Sequence, residues 1–211
     1  MRYVKGHGLQ TRSRIVEEAS YGLRQSGADG LSVVDLMKLA GLTHGGFYSH
    51  FASREDLVVE AFALAMDRTI SHWLKLTKGM PVEEHFDVVV AAYLSPAHRD
   101  DRARGCVLPS LGTDIARSSP KARRVFARKL DEMIDMFAGM FPGKAPEEAR
   151  RIATGALATM MGAIVLARAA GDRQLSDDIL EAGRQALRGR SATASGVRLI
   201  NKRDRESSDH D

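Results

Sequence analysis

Apolar residues recur along this chain at spacings of three and four, and no long stretch alternates between apolar and polar positions. The first helix is expected from about residue 10 to residue 26, with Ile15, Ala19 and Leu23 on one face. Gly27 and Gly30 are expected to end it. Further helices are predicted at 33–40, 44–50, 53–78, 82–95, 106–118, 120–141, 146–171 and 176–188. The pattern therefore predicts an all-α fold of about nine helices.

The second and third helices carry start and stop signals that place a short turn between them. Ser32 to Asp35 has the spacing of a capping box, as does Ser53 to Asp56 at the start of a long helix. Gly41 suits the left-handed residue after a helix, and Thr43 is expected to cap the third helix. Residues 31–50 therefore predict a helix-turn-helix, whose third helix would enter the DNA major groove.

The third helix has two chemically different faces. Phe47 and Phe51 lie four residues apart and are expected to be buried, whereas Tyr48 and His50 project elsewhere. Gly45-Gly46 costs a helix about 1 kcal/mol per glycine but allows close backbone approach to a bulky partner. A phosphate would be favoured at this helix N-terminus. The alternative is that the glycines relieve crowding against the first helix.

The stretch from Gly30 to Leu57 resembles the DNA-binding domain of TetR (tetracycline-repressor-like) transcriptional regulators. The resemblance covers roughly residues 10–65 and lies in Ala40-Gly41-Leu42, Thr43, Gly45, Phe47-Tyr48, His50-Phe51 and the helix start Ser53, Glu55 and Asp56. It implies phosphate contacts from Thr43, Tyr48, His50 and Arg54 and a part in sequence choice for His44. Arg54 stands where lysine is common in the family and keeps the charge. The predicted DNA-binding residues are Arg12, Arg14, Ser32, Thr43, His44, Gly45, Gly46, Tyr48, His50 and Arg54.

The resemblance also implies how the chain is divided. Residues 1–60 would form the DNA-binding domain, 61–188 a helical domain for ligand binding and dimerisation, and 189–211 a flexible tail. The helix at 146–171 carries a wide apolar stripe and small residues that let another helix approach, namely Gly155, Ala158, Gly162 and Ala163. With the helix at 176–188 it could pair with its two-fold copy as a four-helix bundle. The alternative is packing within one chain.

Large apolar side chains in the second domain are candidates for an effector pocket. Residues of this kind are more often core than ligand contacts when taken singly. The effector class they suggest is a small apolar, aromatic or electrophilic molecule. The candidates are Phe62, Met66, Trp73, Phe86, Val90, Tyr93, Cys106, Phe126, Met133, Phe137 and Met160.

Cys106 has two interpretations. It stands near a predicted helix N-terminus beside Arg102 and Arg104, and both features lower a thiol pKa. The Gly-Cys pair resembles a subgroup of the family that includes redox- and electrophile-responsive repressors, which makes a sensor thiol one hypothesis. The other is a small buried hydrophobe, the commoner role of a cysteine outside a disulfide.

Composition restricts the class of protein. The chain has 211 residues, of which 44% are hydrophobic and 27% charged, so it can bury a proper core. Its single cysteine excludes an intramolecular disulfide. The longest apolar run, 155–167, is shorter than the ~18 to 20 residues of a membrane helix. The N-terminus has no apolar stretch typical of a secretory signal. We therefore expect a cytoplasmic protein.

The charge balance adds little to the DNA prediction. The net charge is +4, but residues 1–60 carry seven basic and seven acidic side chains. Positive charge is local to the first fourteen residues, which hold four basic residues and no acid, namely Arg2, Lys5, Arg12 and Arg14. The DNA prediction therefore depends on the helix-turn-helix and this basic N-terminal arm.

The sequence favours a ligand-responsive repressor that binds a near-palindromic operator as a homodimer, and two other classes of function are alternatives. An enzyme is not expected, because the chain has no phosphate loop, dinucleotide fingerprint, zinc motif or nucleophile elbow, and a cysteine nucleophile at Cys106 is the one route left open. Neither a metal nor a cofactor is expected. A helical adaptor for another protein would show no sequence-specific DNA binding. The operator, the effector, the regulated genes and the direction of regulation stay open.

Overall fold

The computed structural model describes residues 5–28, 30, 32–39, 41 and 43–188. Within these ranges the chain forms helices and no strands, which confirms the predicted all-α class. The elements are α1 (Lys5–Ser26), α2 (Val33–Leu39), a 3-10 helix (His44–Ser49), α3 (Arg54–Leu76), α4 (Val82–Tyr93), α5 (Pro96–Asp100), α6 (Leu108–Ala116), α7 (Pro120–Ala138), α8 (Pro146–Ala169) and α9 (Arg173–Leu187).

The third helix is a 3-10 helix rather than the expected α-helix. The amide of Gly46 donates to the Thr43 carbonyl at 3.0 Å, and the amide of His50 donates to the Phe47 carbonyl at 2.9 Å. Two adjacent glycines in a six-residue element favour the tighter, shorter helix. The Thr43 side chain makes no capping bond, so that expectation was wrong. The Gly46 amide is instead bonded to the backbone of Thr43.

Both predicted capping positions accept the expected backbone bond. Ser32 Oγ accepts from the Asp35 amide at 3.3 Å, and Ser53 Oγ accepts from the Asp56 amide at 3.1 Å. At α3 the Asp56 carboxylate accepts a bond of 2.9 Å from the Ser53 hydroxyl. These bonds set where α2 and α3 begin.

The stretch between α4 and α6 differs most from the sequence prediction. Residues 96–100 form an additional short helix, because Pro96 suits a first turn and Ser95 Oγ accepts from the His98 amide at 3.1 Å. Helix α6 begins at Leu108, two residues later than expected. Cys106 therefore lies in the connection before α6.

Helix α3 joins the N-terminal helices to the rest of the chain. It packs against α1 on one side and α7 on the other, while α8 packs against α7 and α9. Ile15, Ala19 and Leu23 of α1 are fully buried, as predicted for that face. Because α3 is continuous through residues 60 and 61, the predicted domain boundary falls inside a helix.

Helix α8 buries one face within the chain and exposes the other. Ala153, Met160 and Ile164 are buried, whereas Leu166 is 59% exposed. Ala163 is also buried, and a Cβ added to Gly183 of α9 would lie 3.0 Å from the Cβ of Ala163. At Ala163 the helix that approaches is α9 of the same chain, so this position fits the alternative of packing within one chain.

By length and composition alone, α8 is one helix of the described residues that could cross a membrane. Core helices of soluble proteins have the same length and apolar composition, so these two properties do not distinguish α8 from a core helix. The predicted tail at 189–211 and Arg2 lie outside the described residues.

Candidate nucleic-acid interface

The 3-10 helix is anchored by its aromatic residues. Phe47 and Phe51 are 1% and 3% exposed and stack with their ring centroids 5.5 Å apart. Tyr48 is 71% exposed and stands edge-on against Phe47 at 5.2 Å. The predicted division into a buried and an exposed face is confirmed. Tyr48 is thus held on a rigid base with its side chain facing outward.

Arg12 braces the end of the 3-10 helix. Its guanidinium forms a two-pronged ion pair with Glu60, in which Nη1 lies 2.6 Å from Oε2 and Nη2 contacts Oε1. Its Nε donates to the His50 carbonyl at 3.2 Å, and its guanidinium lies 4.6 Å from the centre of the Phe51 ring. The Glu60 bond raises the pKa of Arg12. Arg12, predicted as a DNA contact, therefore has an intramolecular role in placing His50.

Two further predicted arginines lie at the same end of the molecule. Arg54 Nη2 donates to the Ala28 carbonyl and so joins the start of α3 to the turn after α1. Arg14 is exposed on α1, and its Nη2 lies 3.9 Å from where a Cβ of Gly41 would stand. Gly41 has φ +69°, the left-handed conformation predicted for it.

The glycines of the 3-10 helix are not needed to avoid α1. Among the described residues, a Cβ at Gly45 would meet nothing within 4 Å, and one at Gly46 would lie 3.6 Å from Met37 of α2. The crowding alternative is therefore not supported. Ser32, Thr43 and Gly45 are exposed, while Gly46 and His50 are half-buried. The side chain of His44 lies outside the described residues.

The N-terminal helices are hydrogen-bonded to α6. The amide of Ala28, just after α1, donates to Asp114 Oδ2 at 2.9 Å. The hydroxyl of Ser110 donates to the Arg24 carbonyl at 2.8 Å. These two hydrogen bonds couple the position of α6 to the C-terminal end of α1.

Helix α7 makes a second set of bonds to the start of α3. The amide of Ser119 donates to Glu55 Oε1 at 3.0 Å, and Lys121 Nζ lies 2.5 Å from Asp56 Oδ1. The Lys121 bond lowers the pKa of Asp56. Sequence reasoning missed all of these links, because they join residues far apart in the chain.

Most of the candidate pocket residues lie in the hydrophobic core. The structure buries Phe62, Met66, Phe86, Val90, Tyr93, Met133, Phe137 and Met160 and half-buries Phe126. Trp73 and Cys106 are also buried but line a cavity of about 130 Å³ between α1, α3 and the segment before α6. Arg24 and His98 line the same cavity, and sequence reasoning missed both. The sequence carries no signal for Arg24, because its place in the cavity depends on α3 and the segment before α6.

Cys106 is enclosed by the protein. Its side chain is 2% exposed, and burial raises the pKa of the thiol, although hydrogen bonds with the Leu108 backbone and the Tyr93 side chain, and then the charges of Arg24 and Arg168, lower it. Its amide donates to His98 Nε2 at 3.0 Å. The expected lowering by a helix N-terminus is outweighed by desolvation. This environment favours the buried structural interpretation. In the described part of the chain, no three potential metal-ligating side chains cluster.

The N-terminal part is a long helix α1 followed by two short helices that present Tyr48, and it is bonded to a larger helical part. This arrangement defines a helix-turn-helix transcriptional regulator. The family model for bacterial regulatory proteins of the tetR family matches residues 15–61. The model for the C-terminal domain of LmrA/YxaF-like transcriptional regulators matches residues 81–181. The chain belongs to the TetR family.

Relatives of the chain are also named as transcriptional regulators. An uncharacterised HTH-type transcriptional regulator of Mycobacterium tuberculosis is 27% identical over 169 residues, 76% of this chain and 86% of the relative. The HTH-type transcriptional repressor DhaR of Mycobacterium sp. strain GP1 is 24% identical over 83% of this chain and 91% of its own length. A TetR regulator structure from Chloroflexus aurantiacus superposes with a TM-score of 0.70 at 24% identity, covering 86% of this chain and 96% of that one.

The family sets the general activity. TetR family regulators bind DNA operators, act as dimers and respond to small-molecule effectors. Such regulators are typically not enzymes.

Proposed function

We propose that this protein is a cytoplasmic repressor that binds a near-palindromic operator as a homodimer and is released by a small molecule. The observation that carries the proposal is the 3-10 helix, which holds Tyr48 outward on a base of buried phenylalanines and is braced by Arg12. Repression agrees with the name of the relative DhaR, a transcriptional repressor.

The DNA-binding surface would combine phosphate and base contacts. Thr43, Tyr48 and Arg54 are exposed near one end of the molecule and suit phosphates, while His44 would contribute to sequence choice. The exposed N-terminus of the 3-10 helix at Gly45 permits close approach of the backbone. Arg12 would act by positioning His50 rather than by touching DNA.

The dimer would form through α8 and α9. The outer face of α8 exposes small residues beside apolar ones, among them Gly162, Val165 and Leu166. A Cβ on Gly162 would meet nothing within 4 Å in the single chain. Leu175 of α9 is 51% exposed. Burial of these side chains against a two-fold copy would form a four-helix bundle. It would also place the 3-10 helices of the two protomers, the DNA-reading helices, on two half-sites of the operator.

The effector would act through α6. Ser110 and Asp114 connect this helix to the end of α1, so a ligand that shifts α6 relative to α3 would change the spacing of the reading helices. A small apolar, aromatic or electrophilic molecule is the proposed class.

Selection of bound fragments from a random DNA library, followed by gel shift, tests the proposal. We expect a near-palindromic site whose affinity falls steeply with salt. Tyr48→Phe should weaken binding about three- to tenfold, because one hydroxyl contact contributes about 0.5–1.5 kcal/mol. His50→Ala should also weaken it. Deleting residues 1–9, which contain Arg2 and Lys5, should flatten the salt dependence.

Tyr21→Phe is the matched control, because Tyr21 is an exposed tyrosine on α1 outside the proposed surface. It should leave operator affinity unchanged. Unchanged binding by both Tyr48→Phe and His50→Ala would overturn the proposed DNA-binding surface. A protein that selects no DNA sequence would favour the adaptor alternative.

A further inference from the structure

Arg24 is a buried cation without a counter-ion in the described structure. Its side chain is 3% exposed, and its partners are neutral: Nη1 donates to Ser20 and Nη2 donates to the Ala65 carbonyl at 3.2 Å. Its Nε is buried and has no hydrogen-bond partner in the described residues. Burying a guanidinium without an anion is costly, and the burial lowers the pKa of Arg24.

A second unpartnered donor lines the same cavity. Trp73 is 3% exposed, and its indole Nε1 has no hydrogen-bond partner in the described residues. Behind it the buried Tyr93 hydroxyl interacts with the Cys106 side chain, and the Tyr93 ring lies 6.0 Å from that of Trp73. Buried polar groups are nearly always hydrogen-bonded. Arg24 Nε and Trp73 Nε1 therefore indicate an acceptor that the described residues do not supply.

The cavity has the charge and size for a small acid. Arg24, Arg68 and Arg104 line it, and none of the described residues that line it is acidic. Arg68 and Arg104 are partly or largely exposed, and each is paired with an acid, Arg68 with Glu17 at 2.7 Å and Arg104 with Asp101 at 3.7 Å, so Arg24 supplies the uncompensated charge among the described residues. A cavity of about 150 Å³ holds a benzene molecule, so about 130 Å³ suits an acid of that size or smaller.

We propose that this cavity binds a small monocarboxylate, with the carboxylate between the Arg24 guanidinium and the Trp73 indole N–H. The apolar part of the acid would lie against the Trp73 ring and Cys106. A single buried guanidinium matches a single negative charge, which favours a monocarboxylate over a dianion such as phosphate.

This inference deepens the proposed function and rests on it for its regulatory meaning, since the acid would be the effector. Arg24 belongs to α1, and its carbonyl accepts the bond from Ser110 of α6. A carboxylate on Arg24 would therefore act at the junction between the DNA-reading helices and α6. The binding itself does not depend on operator recognition.

Trp73 is the only tryptophan in the chain, so its fluorescence reports on this cavity directly. The full-length protein is titrated at pH about 7 and constant ionic strength with butyrate and benzoate, and with the uncharged amides butyramide and benzamide. We expect a saturable change with at least one acid. The matching amide should bind at least about tenfold more weakly, because the ion pair with Arg24 is absent.

Arg24→Met removes the charge and keeps the apolar stem. It should weaken acid binding at least about tenfold without lowering the thermal midpoint, because it also removes an uncompensated buried charge. Arg128→Met on the exposed part of α7 is the matched control and should bind as the parent does. If Arg24→Met does not fold, Trp73→Phe read by calorimetry replaces it and should bind at least threefold more weakly.

The proposal is overturned if neither acid gives a saturable change, if acid and amide bind equally, or if the Arg24 variant binds as tightly as the parent. Operator binding is measured separately by gel shift. A protein that binds its operator but no carboxylate loses only this inference. If the protein binds a carboxylate but selects no DNA sequence, the carboxylate site stands and the proposed function is refuted.

Discussion

At the scale of single residues, His98 connects α5 to the segment before α6. Its Nδ1 lies 2.7 Å from the Tyr93 carbonyl and must donate to it, while its Nε2 accepts from the Cys106 amide. The ring is therefore neutral, with its proton on Nδ1. Gly105 passes so close to the ring that a Cβ there would lie 2.9 Å from Nε2. The placement of Cys106 depends on this one imidazole.

Gly105→Ala should destabilise the protein by about 1–3 kcal/mol, because the added methyl must displace His98 or the Asp101 carbonyl, 3.2 Å away. Gly112→Ala is the control. A Cβ at Gly112 within α6 meets nothing within 4 Å, so this change should stabilise by about 0.5–1 kcal/mol. Urea unfolding of both variants measures the difference, and equal midpoints would contradict the close approach.

The protonation of His98 should make stability fall in mild acid. Burial lowers the pKa of His98 to about 4, aided by Arg168 and His72 and opposed by the Tyr93 carbonyl and Asp101. The unfolded chain binds the proton near pH 6.5, so unfolding takes up a proton between about pH 6.5 and 4. Neutral His98 contributes fully to the free energy of unfolding above about pH 6.5. As the pH falls to about 4 this contribution is lost, which lowers the free energy of unfolding by up to about 3 kcal/mol.

Urea unfolding at about pH 7.5 and 4.5 checks this expectation. His98→Gln should reduce the pH dependence relative to the parent, whereas His85→Gln should leave it unchanged. His85 makes a single bond of 3.0 Å, to the Met80 carbonyl, in an exposed setting. The same acid sensitivity in parent and His98→Gln would show that His98 is not the responsible group.

At the scale of elements, the turn after α1 is fixed from two sides. The Ala28 amide bonds to Asp114 of α6, and the Ala28 carbonyl accepts from Arg54 of α3. Gly27 has φ +71°, and a Cβ there would lie 3.1 Å from Asp114 Oδ2. The turn that separates α1 from the helix-turn-helix is therefore held in place by α6.

Asp114→Ala should lower the free energy of unfolding by about 1–2 kcal/mol, because the Ala28 amide loses its hydrogen-bond partner. It should also weaken operator binding several-fold, because the turn after α1 becomes less well fixed. Asp114→Asn keeps an acceptor oxygen and serves as the control, so it should retain most of the stability. Thermal unfolding and gel shift measure the two effects. Equal loss in both variants would mean that charge rather than the Ala28 bond is what matters.

At the scale of the whole molecule, the exposed apolar face of α8 matters most. Leu166 is 59% exposed and Val165 43%, on a helix whose other face is in the core. Apolar side chains grouped on one exposed face mark an interaction surface. A dimer would cover this face and set the distance between the two DNA-reading helices.

Leu166→Arg should convert the dimer to a monomer and weaken operator binding at least about tenfold, because a charge would be buried in the pairing face. Leu74→Arg is the control, since Leu74 is 55% exposed on α3. Sedimentation velocity gives the oligomeric state of both. A dimeric Leu166→Arg protein would refute pairing through this face.

The sequence by itself determined the all-α class, the helix-turn-helix and the family. These features are local: capping spacings at Ser32 and Ser53, the left-handed Gly41 and the aromatic pair Phe47 and Phe51 are all visible within a few turns of chain. The helix type at His44–Ser49 was missed, because six residues with two glycines lie at the balance between an α and a 3-10 helix.

Only the tertiary structure decided what the charged and buried residues do. Arg12 resembled a basic arm residue until Glu60, 48 positions away, was found beside it. The sequence left Cys106 between a sensor thiol and a small buried hydrophobe, and its desolvation favours the second. Arg24 gave no sign of a site, since its cavity is built from α1, α3 and the segment before α6. Charge pairing and burial depend on distances in space, which local spacing along a chain does not encode.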